Sequence, residues 1–153
     1  MHWLDHKIPP PVIGALVAAG RWAVAEVGPQ FDLALQAWYV VAGVLVVVGL
    51  GFDLLGLIAF RASRTTINPL RPERSTALVT GGVYRVTRNP MYVGMALLLL
   101  AWAVYLSSLL PFAGPAVFVV YITRFQIQPE ERALQATFGD DFARYAARVR
   151  RWL

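Results

Sequence analysis

One apolar segment, from about Leu33 to Phe60, constrains the fold of this chain more than any other feature. At 1.5 Å per residue, a helix of this length exceeds the roughly 30 Å hydrocarbon core of a bilayer, so it must tilt or project beyond that core. The whole chain fits this setting, because 58% of its 153 residues are hydrophobic and 15% are charged, against roughly 25% in a soluble domain. The sequence predicts an integral membrane protein with a single domain.

Three further apolar segments extend this prediction to a bundle of helices. They run from about Ile8 to Val27, from about Met91 to Leu110 and from about Phe112 to Ile127. Pro111 and the Gly114–Pro115 pair predict a tight connection between the last two segments, which would then form an antiparallel hairpin. The predicted fold class is all-α: a polytopic transmembrane helical bundle of about four or five membrane helices, followed by a cytoplasmic C-terminal amphipathic helix.

The arginines predict which side of the membrane each connection faces. Most of them lie in the loop between the second and third segments or in the tail: Arg61, Arg64, Arg71, Arg74, Arg85, Arg88, Arg132, Arg144, Arg148, Arg150 and Arg151. Four crossings put both regions on one side, and the positive-inside rule makes that side the cytoplasm. Topology and lipid headgroups account for the net charge of +5. No nucleic-acid-binding motif is present, so membrane lipids are expected as partners and nucleic acid is not.

Two absences narrow the prediction. The chain has no cysteine, which excludes disulfides and thiolate metal sites, and no metal site is expected. The stretch from Met1 to Pro11 lacks a cleavable apolar core, so no signal peptide is expected. The Ala- and Arg-rich, Lys-poor composition suits a bacterium with a GC-rich genome, which predicts a multi-pass protein of the bacterial inner membrane.

An amphipathic stripe follows the last apolar segment. Apolar residues recur there at three- and four-residue spacing, which predicts helix but not a fifth span: Leu134, Phe138, Phe142, Tyr145 and Val149. Gly139 and the two aspartates after it predict a break into two helices, with Asp140 as the N-cap of the second. Such a tail either lies on anionic lipid or packs as a lid over the polar clusters of the chain.

The first polar cluster contains Asn89 and Pro90, which predict the start of a helix. Asparagine caps free N–H groups, and proline at the first helical position loses no hydrogen bond, because its missing N–H would be unpaired anyway. Arg85 and Arg88 lie just before this start. The cluster is either an anion-binding corner for a carboxylate or phosphate, or an ordinary cap beside two arginines that bind lipid headgroups.

The second polar cluster, Pro129-Glu130-Glu131, comes just after the last apolar segment. Taken alone, it is typical of a helix start with acids in the first turn. The predicted hairpin, however, brings Glu130 close to Asn89 and Pro90. One site then has anion-binding groups on one wall and carboxylates on another, which suits a zwitterionic ligand with ribose hydroxyls.

The two clusters resemble the signature of the isoprenylcysteine carboxyl methyltransferase family, which shares these motifs with integral phospholipid methyltransferases. The matching positions are Gly82, Tyr84, Arg85, Arg88, Pro90, Tyr92 and Gly94, then Glu130-Glu131, Phe138-Gly139, Phe142 and Tyr145. The stretches Thr65–Pro69 and Ser75–Val79 also resemble bacterial members. The resemblance covers roughly Arg61 to Leu153, whereas the first sixty residues match in hydropathy alone. It implies one domain over residues 1–153, with membrane helices in 1–60 and a cofactor-binding core in 61–153.

This resemblance implies S-adenosylmethionine as methyl donor, held on the cytoplasmic side, with S-adenosylhomocysteine as product. Carried over by position, the cofactor-binding residues would be Thr76, Ala77, Leu78, Val79, Tyr84, Asn89, Pro90, Met91, Tyr92 and Glu130. The acceptor is expected to be lipidic or prenylated and to enter from the bilayer. Arg124, near the cytoplasmic end of the fourth segment, would position it, or is an arginine whose charged end reaches the interface.

Asn89 stands where the family usually has histidine. Its amide can donate and accept hydrogen bonds but cannot shuttle a proton at neutral pH, so this position would bind and orient. Asp53, the ionisable residue inside the second segment, has two open interpretations: it pairs with Arg124 or Arg61, or it touches an acceptor headgroup.

The predicted function is an S-adenosylmethionine-dependent membrane methyltransferase acting on a lipid-like or isoprenylated acceptor, with carboxyl O-methylation favoured. The first alternative is a phospholipid N-methyltransferase, which shares both motifs. The second is a non-catalytic membrane scaffold or sensor with a degenerate cofactor site. Asn89, in place of the family's histidine, is the feature that supports this alternative.

Overall fold

The computed structural model describes residues 8–25, 35–63, 77–106 and 112–153, and every regular element in these ranges is helical. The α-helices are α1 (Pro10–Ala25), α2 (Leu35–Ala62), α3 (Pro90–Tyr105), α4 (Ala113–Ile122), α5 (Gln128–Phe138) and α6 (Asp140–Arg148). A 3-10 turn at Gly82–Arg85 precedes α3, and a π-helical turn at Thr123–Ile127 joins α4 to α5. The all-α prediction is confirmed.

Helix α2 is the element on which the membrane prediction depends. Its stretch Ala37–Ala62 has a mean hydropathy of 2.4, and it is the one helix in the described ranges that is long and apolar enough to cross a membrane. Only 17% of this stretch is buried inside the protein. A core helix of a soluble protein would bury its apolar side chains. The exposed valines and leucines of α2 are instead typical of a helix in contact with lipid.

Helices α2 and α3 pack closely because glycines remove side chains from their contact. A Cβ atom placed on Gly49 would lie 3.0 Å from the carbonyl oxygen of Gly94, and one placed on Gly56 would lie 2.9 Å from Cγ of Met91. The later glycine on α2 thus meets the earlier residue on α3, so the two helices are antiparallel. As a result, the polar start of α3 lies beside the C-terminal part of α2.

The predicted hairpin of the last two apolar segments is confirmed. Tyr92, at the start of α3, hydrogen-bonds to Glu130, beyond the end of α4, so the two helices run in opposite directions. Their shared core cluster comprises Ile13, Tyr92, Leu99, Phe118, Ile122 and Ile127. The position predicted for Gly114 and Pro115 is wrong, because both lie inside the first turn of α4. Proline is tolerated there, since first-turn N–H groups lack helical partners. Pro111 lies outside the described residues.

Helical backbone continues from α4 through the π turn into α5. Thr123, Ile127 and Gln128 all have right-handed helical dihedrals, and the Gln128 N–H donates to the Thr123 carbonyl. Pro129 lies in the first turn of α5, as predicted, but no free helix end precedes it. A proline inside a helix loses one hydrogen bond and crowds the carbonyl four residues earlier, and the wider π turn relieves this. Dipole compensation therefore does not explain Glu130 and Glu131.

The predicted break in the tail is confirmed, although its N-cap is misplaced by one residue. Gly139 ends α5 and also caps α6, with φ of +51°, a conformation that favours glycine over Asp140. Helix α6 packs over the 3-10 turn, with a core of Val79, Tyr84, Phe142 and Tyr145. The Tyr145 hydroxyl donates to the Tyr84 carbonyl oxygen at 2.8 Å, which fixes α6 beside α3's start.

Candidate functional site

The Glu130 carboxylate lies where α3 and the α4–α5 helix meet. Its Oε1 accepts two hydrogen bonds, from the Tyr92 hydroxyl at 2.7 Å and from Nε2 of Gln126 at 2.9 Å. Tyr92 and Gln126 are both buried, with 8% and 2% of their surface exposed. We call these three residues the Glu130 site. The hairpin was predicted to bring Glu130 close to Asn89 and Pro90; the contact that the structure shows is with Tyr92, two residues after Pro90.

The surroundings of Glu130 change its proton affinity. Burial raises the pKa of its carboxyl to about 7, the hydrogen bonds from Tyr92 and Gln126 act in the opposite direction, and the nearby charge of Glu131 raises it further. This pKa lies near neutral pH, so Glu130 can gain or lose its proton when its surroundings change. A ligand with an amino group or hydroxyls would favour the ionised form, which accepts hydrogen bonds at both oxygens.

Glu131, next in sequence, has a different set of partners. Its Oε1 accepts from Arg88 Nη2 at 2.7 Å and from Arg151 Nε at 3.0 Å, while its Oε2 accepts from Arg151 Nη2 at 2.6 Å. The hydrogen bond to Glu131 raises the pKa of the Arg151 guanidinium above its usual value. We call these three residues the Glu131 clamp. It joins α5, the start of α3 and the segment that follows α6.

Asn89 occupies the N-cap position of α3, but the prediction that its side chain caps the helix is wrong, since it makes no capping hydrogen bond. Its Nδ2 donates instead to the Arg151 carbonyl oxygen at 2.9 Å. The Asn89 backbone N–H is bound by the Thr87 hydroxyl at 3.2 Å. The segment that contains Arg151 crosses the start of α3 and offers this carbonyl, so the side-chain amide of Asn89 turns away from the helix.

The other residues predicted to bind a cofactor differ in how deeply they are buried near this helix start. Pro90 is buried and Met91 is partly buried, and both face Gly56 of α2. Tyr84 is 6% exposed, and its ring packs edge-on against Phe60 with centroids 5.4 Å apart. Burial raises the Tyr84 pKa above its usual value, with smaller contributions from Tyr145 and Glu130.

The loop before the 3-10 turn contains the remaining predicted residues. Val79 is 8% exposed and packs with Tyr84 and Phe142, and Leu78 packs against the same cluster. Ala77 is partly buried. Thr76 lies outside the described residues. These positions are adjacent to the start of α3 through Tyr84, so their assignment to a cofactor loop stays a prediction.

Arg124 lies on the π turn, two residues from Gln126. Its guanidinium is 5.5 Å from the centre of the Phe125 ring, a distance suited to a cation–π contact. In the described structure Tyr92 and Gln126, and not Arg124, donate to Glu130. The role of Arg124 in positioning an acceptor stays a prediction.

Gln126 is the site residue that sequence reasoning missed. It falls inside the segment treated as apolar, although a glutamine four residues before a glutamate is a recognised helical hydrogen-bonding pair. A buried amide also needs partners, since leaving one unsatisfied costs about 1–3 kcal/mol. A glutamine in the last turn of an apolar segment was therefore a usable signal.

Two buried polar atoms have no hydrogen-bond partner among the described residues: Asp53 Oδ1 on α2 and Arg88 Nε beside the start of α3. The Asp53 carboxylate lies against Gly94, where a Cβ atom would overlap it. Neither Arg61 nor Arg124 forms an ion pair with Asp53 in the described structure, so the interpretation as an internal ion pair is not supported. Arg88 Nε leaves one donor available in the site.

Comparisons of sequence show which known proteins this chain is similar to. A family model described as phospholipid methyltransferase matches residues 37–141. Protein-S-isoprenylcysteine O-methyltransferase B of Arabidopsis thaliana is 34% identical over 121 residues, which are 74% of this chain and 59% of that protein. A probable protein-S-isoprenylcysteine O-methyltransferase of Oryza sativa subsp. indica is 32% identical over 121 residues, or 74% of this chain and 61% of that protein.

A third relative, an uncharacterized protein of Haemophilus influenzae, is 44% identical over 63 residues, which are 41% of this chain and 100% of that protein. This chain spans about three fifths of the length of the two plant proteins. No solved structure matches it. The matched region includes the start of α3, the π turn and the Glu130–Glu131 pair, so the predicted family resemblance is confirmed. The chain belongs to the phospholipid methyltransferase family, a family of methyltransferases.

Proposed function

We propose that the protein is an integral membrane methyltransferase that takes its methyl group from S-adenosylmethionine and transfers it to a lipid-like or prenylated acceptor. The observation that carries this proposal is the Glu130 carboxylate, held by Tyr92 and Gln126 beside the start of α3. Antiparallel packing of α3 with α2 and with α4 supports a multi-pass bundle. The arginine-rich connections support a cytoplasmic location for the cofactor site, α5 and α6.

The residues present fit the chemistry of this cofactor. S-adenosylmethionine is a zwitterion with ribose hydroxyls, so it needs both hydrogen-bond acceptors and donors. Glu130 supplies the acceptor for an amino group or a ribose hydroxyl. Arg88 Nε is a buried donor without a partner among the described residues, and it lies beside the helix start, where anions are stabilised. Tyr84 and residues 76–79 would contact the rest of the molecule.

The protein's part in the reaction is to bind and orient. When bound, S-adenosylmethionine supplies a methyl group already activated by a positively charged sulfur. The chain's residues then have to align the acceptor and exclude water. Asn89 orients through hydrogen bonds and holds no proton to transfer at neutral pH. Arg124 positions the polar group of the acceptor.

Titration calorimetry with S-adenosylhomocysteine on the protein in detergent or nanodiscs tests this proposal. We expect saturable binding with one site per chain. Absence of binding at millimolar ligand, with helical content verified by circular dichroism, would overturn it. That outcome would favour the alternative of a membrane scaffold or sensor that retains the fold without the cofactor.

The acceptor most consistent with the plant relatives' names is a carboxylate, which requires no base. Asp53 favours a second candidate, an amine headgroup, because its Oδ1 has no described hydrogen-bond partner and a carboxylate at this depth attracts a cation. Assays with amine-headgroup lipids and with isoprenylated carboxylates would separate the two. Asp53→Asn should lower amine methylation and leave carboxylate methylation unchanged if the second candidate is correct.

A further inference from the structure

The segment Val149–Leu153, which we call the strap, crosses the start of α3 after α6 has ended. Val149 has extended dihedrals, with φ of −119° and ψ of 132°. The Arg150 carbonyl oxygen accepts from the Arg88 backbone N–H at 2.9 Å. The Arg151 carbonyl accepts from the Thr87 hydroxyl at 3.1 Å and from the Asn89 amide at 2.9 Å. The strap therefore lies directly on a residue of the candidate cofactor site.

Besides these hydrogen bonds to its carbonyls, two of the strap's own side chains anchor it in this position. The first is Arg151 of the Glu131 clamp, which donates to both oxygens of the carboxylate. The second is Trp152, whose Nε1 donates to the Thr123 hydroxyl at 3.1 Å and whose ring packs on the core cluster that contains Tyr92. Both anchors end on the π turn and α5, the elements that also carry Gln126 and Glu130.

Several features make the strap easier to open than the helices. Beyond Val149 it is held, within the described residues, by one backbone–backbone hydrogen bond, from Arg88 to Arg150, and by side chains. It has no ladder of helical hydrogen bonds there, and such segments open with less free energy than a packed core. The Arg151 side chain is 36% exposed. An open groove borders the clamp, lined by Gln128, Glu131, Arg132, Gln135, Ala136 and Arg151. Arg88 Nε, buried with no described partner under the strap, leaves the closed arrangement incompletely satisfied.

We propose that Glu131 is a positioning residue: through Arg151 it holds the strap closed over Asn89, and opening of the strap limits the exchange of the cofactor. This inference rests on the proposed function. It assigns different roles to two adjacent carboxylates, since Glu130 contacts the ligand and Glu131 closes the site. A closing element changes the rates of ligand entry and exit together, and so changes the dissociation constant little.

The test measures association and dissociation rates of S-adenosylhomocysteine by surface plasmon resonance on the protein in nanodiscs. Arg151→Gln should raise both rates by about tenfold, because a charge-assisted pair is lost, with the dissociation constant changed less than about threefold. Arg151→Lys should restore part of the slow exchange. Thr123→Val, which removes the hydrogen bond of the second anchor, should act in the same direction.

The matched control is Arg144→Gln, which breaks an exposed ion pair with Asp141 on α6 and should leave both rates unchanged. Hydrogen exchange at the strap should increase in Arg151→Gln and not in Arg144→Gln. Wild-type binding with rates unaltered in Arg151→Gln and Thr123→Val would overturn the strap proposal alone. Failure of the wild-type protein to bind would overturn the proposed function, and with it the role in exchange.

Discussion

The Glu130 site and the Glu131 clamp contain adjacent residues of the same type in opposite surroundings. Two neutral donors hold Glu130, and burial raises its pKa to about 7. Two arginines hold Glu131 with charge-assisted hydrogen bonds. Neutral partners leave a carboxylate able to exchange its partners for a ligand, whereas paired cations use up both of its oxygens. The difference separates a group that binds from a group that holds structure in place.

The largest expected effect separates the two carboxylates directly. Glu130→Ala should weaken S-adenosylhomocysteine binding by about 100-fold, because a buried hydrogen-bonding charge is lost. Glu131→Ala should weaken it by less than about fivefold, since it acts through the strap. Calorimetry on both variants measures this, with circular dichroism to verify folding. Equal or reversed losses would contradict the assignment.

A second experiment tests whether binding of the cofactor and positioning of the acceptor depend on different residues. Arg124→Ala should lower turnover by roughly thirtyfold, if it aligns the polar group of the acceptor, and leave cofactor affinity nearly intact. Radiolabel transfer from S-adenosylmethionine gives the first quantity and calorimetry the second. Arg148→Ala, on the exposed side of α6, is the matched control. A large loss of cofactor affinity in Arg124→Ala would place it with Glu130 instead.

The pH dependence sharpens the comparison, because Glu130 titrates near neutrality. A ligand that hydrogen-bonds to the ionised carboxylate binds more tightly once Glu130 loses its proton. With its pKa near 7, affinity should rise about tenfold from pH 6 to pH 8 and then level off. Glu130→Gln should abolish the rise, and Glu131→Gln should preserve it. An affinity that falls with pH in the wild-type protein would contradict the assignment.

The smallest expected effect concerns Gln126. Its hydrogen bond lowers the Glu130 pKa, so Gln126→Leu should raise that pKa and move the binding curve to higher pH. At pH 7 the affinity should fall by about threefold, the loss of a neutral hydrogen bond. Gln135→Leu, at an exposed glutamine on α5, is the control. An unshifted pH curve in Gln126→Leu would mean that Gln126 does not tune Glu130.

The parts of this fold that follow from local pattern were predictable from sequence. Apolar length predicted α2, and the hairpin placed Glu130 against the start of α3. Gln126 was missed because it lies within the segment read as apolar, where its four-residue spacing to Glu130 was passed over. The strap was missed because it has no helical pattern, and its hydrogen bonds join residues about sixty positions apart, such as Asn89 and Arg151.

The same geometry explains the wrong expectation for Asn89. Capping preference is a local property, and a carbonyl from the distant strap competes successfully for the amide. The misplaced N-cap at Asp140 has a local cause, since the positive φ needed at the break suits Gly139. Sequence reasoning thus identified the elements and the neighbourhood of the site, while long-range contacts decided what each polar group does there.

Helical backbone continues without interruption from Ala113 to Phe138 and joins the apolar core to Glu130. Phe118, which is fully buried, can serve as its pivot. Over the twelve residues from there to Glu130, at 1.5 Å each, a tilt of about 10° moves the carboxylate by about 3 Å. The hydrogen bond from Tyr92 on α3 does not survive such a displacement, whereas Gln126 lies on the same helix as Glu130 and moves with it. In the proposed multi-pass arrangement, a change in membrane thickness, which tilts helices to match their apolar length, would therefore act on the contact between Tyr92 and Glu130 through the helix backbone.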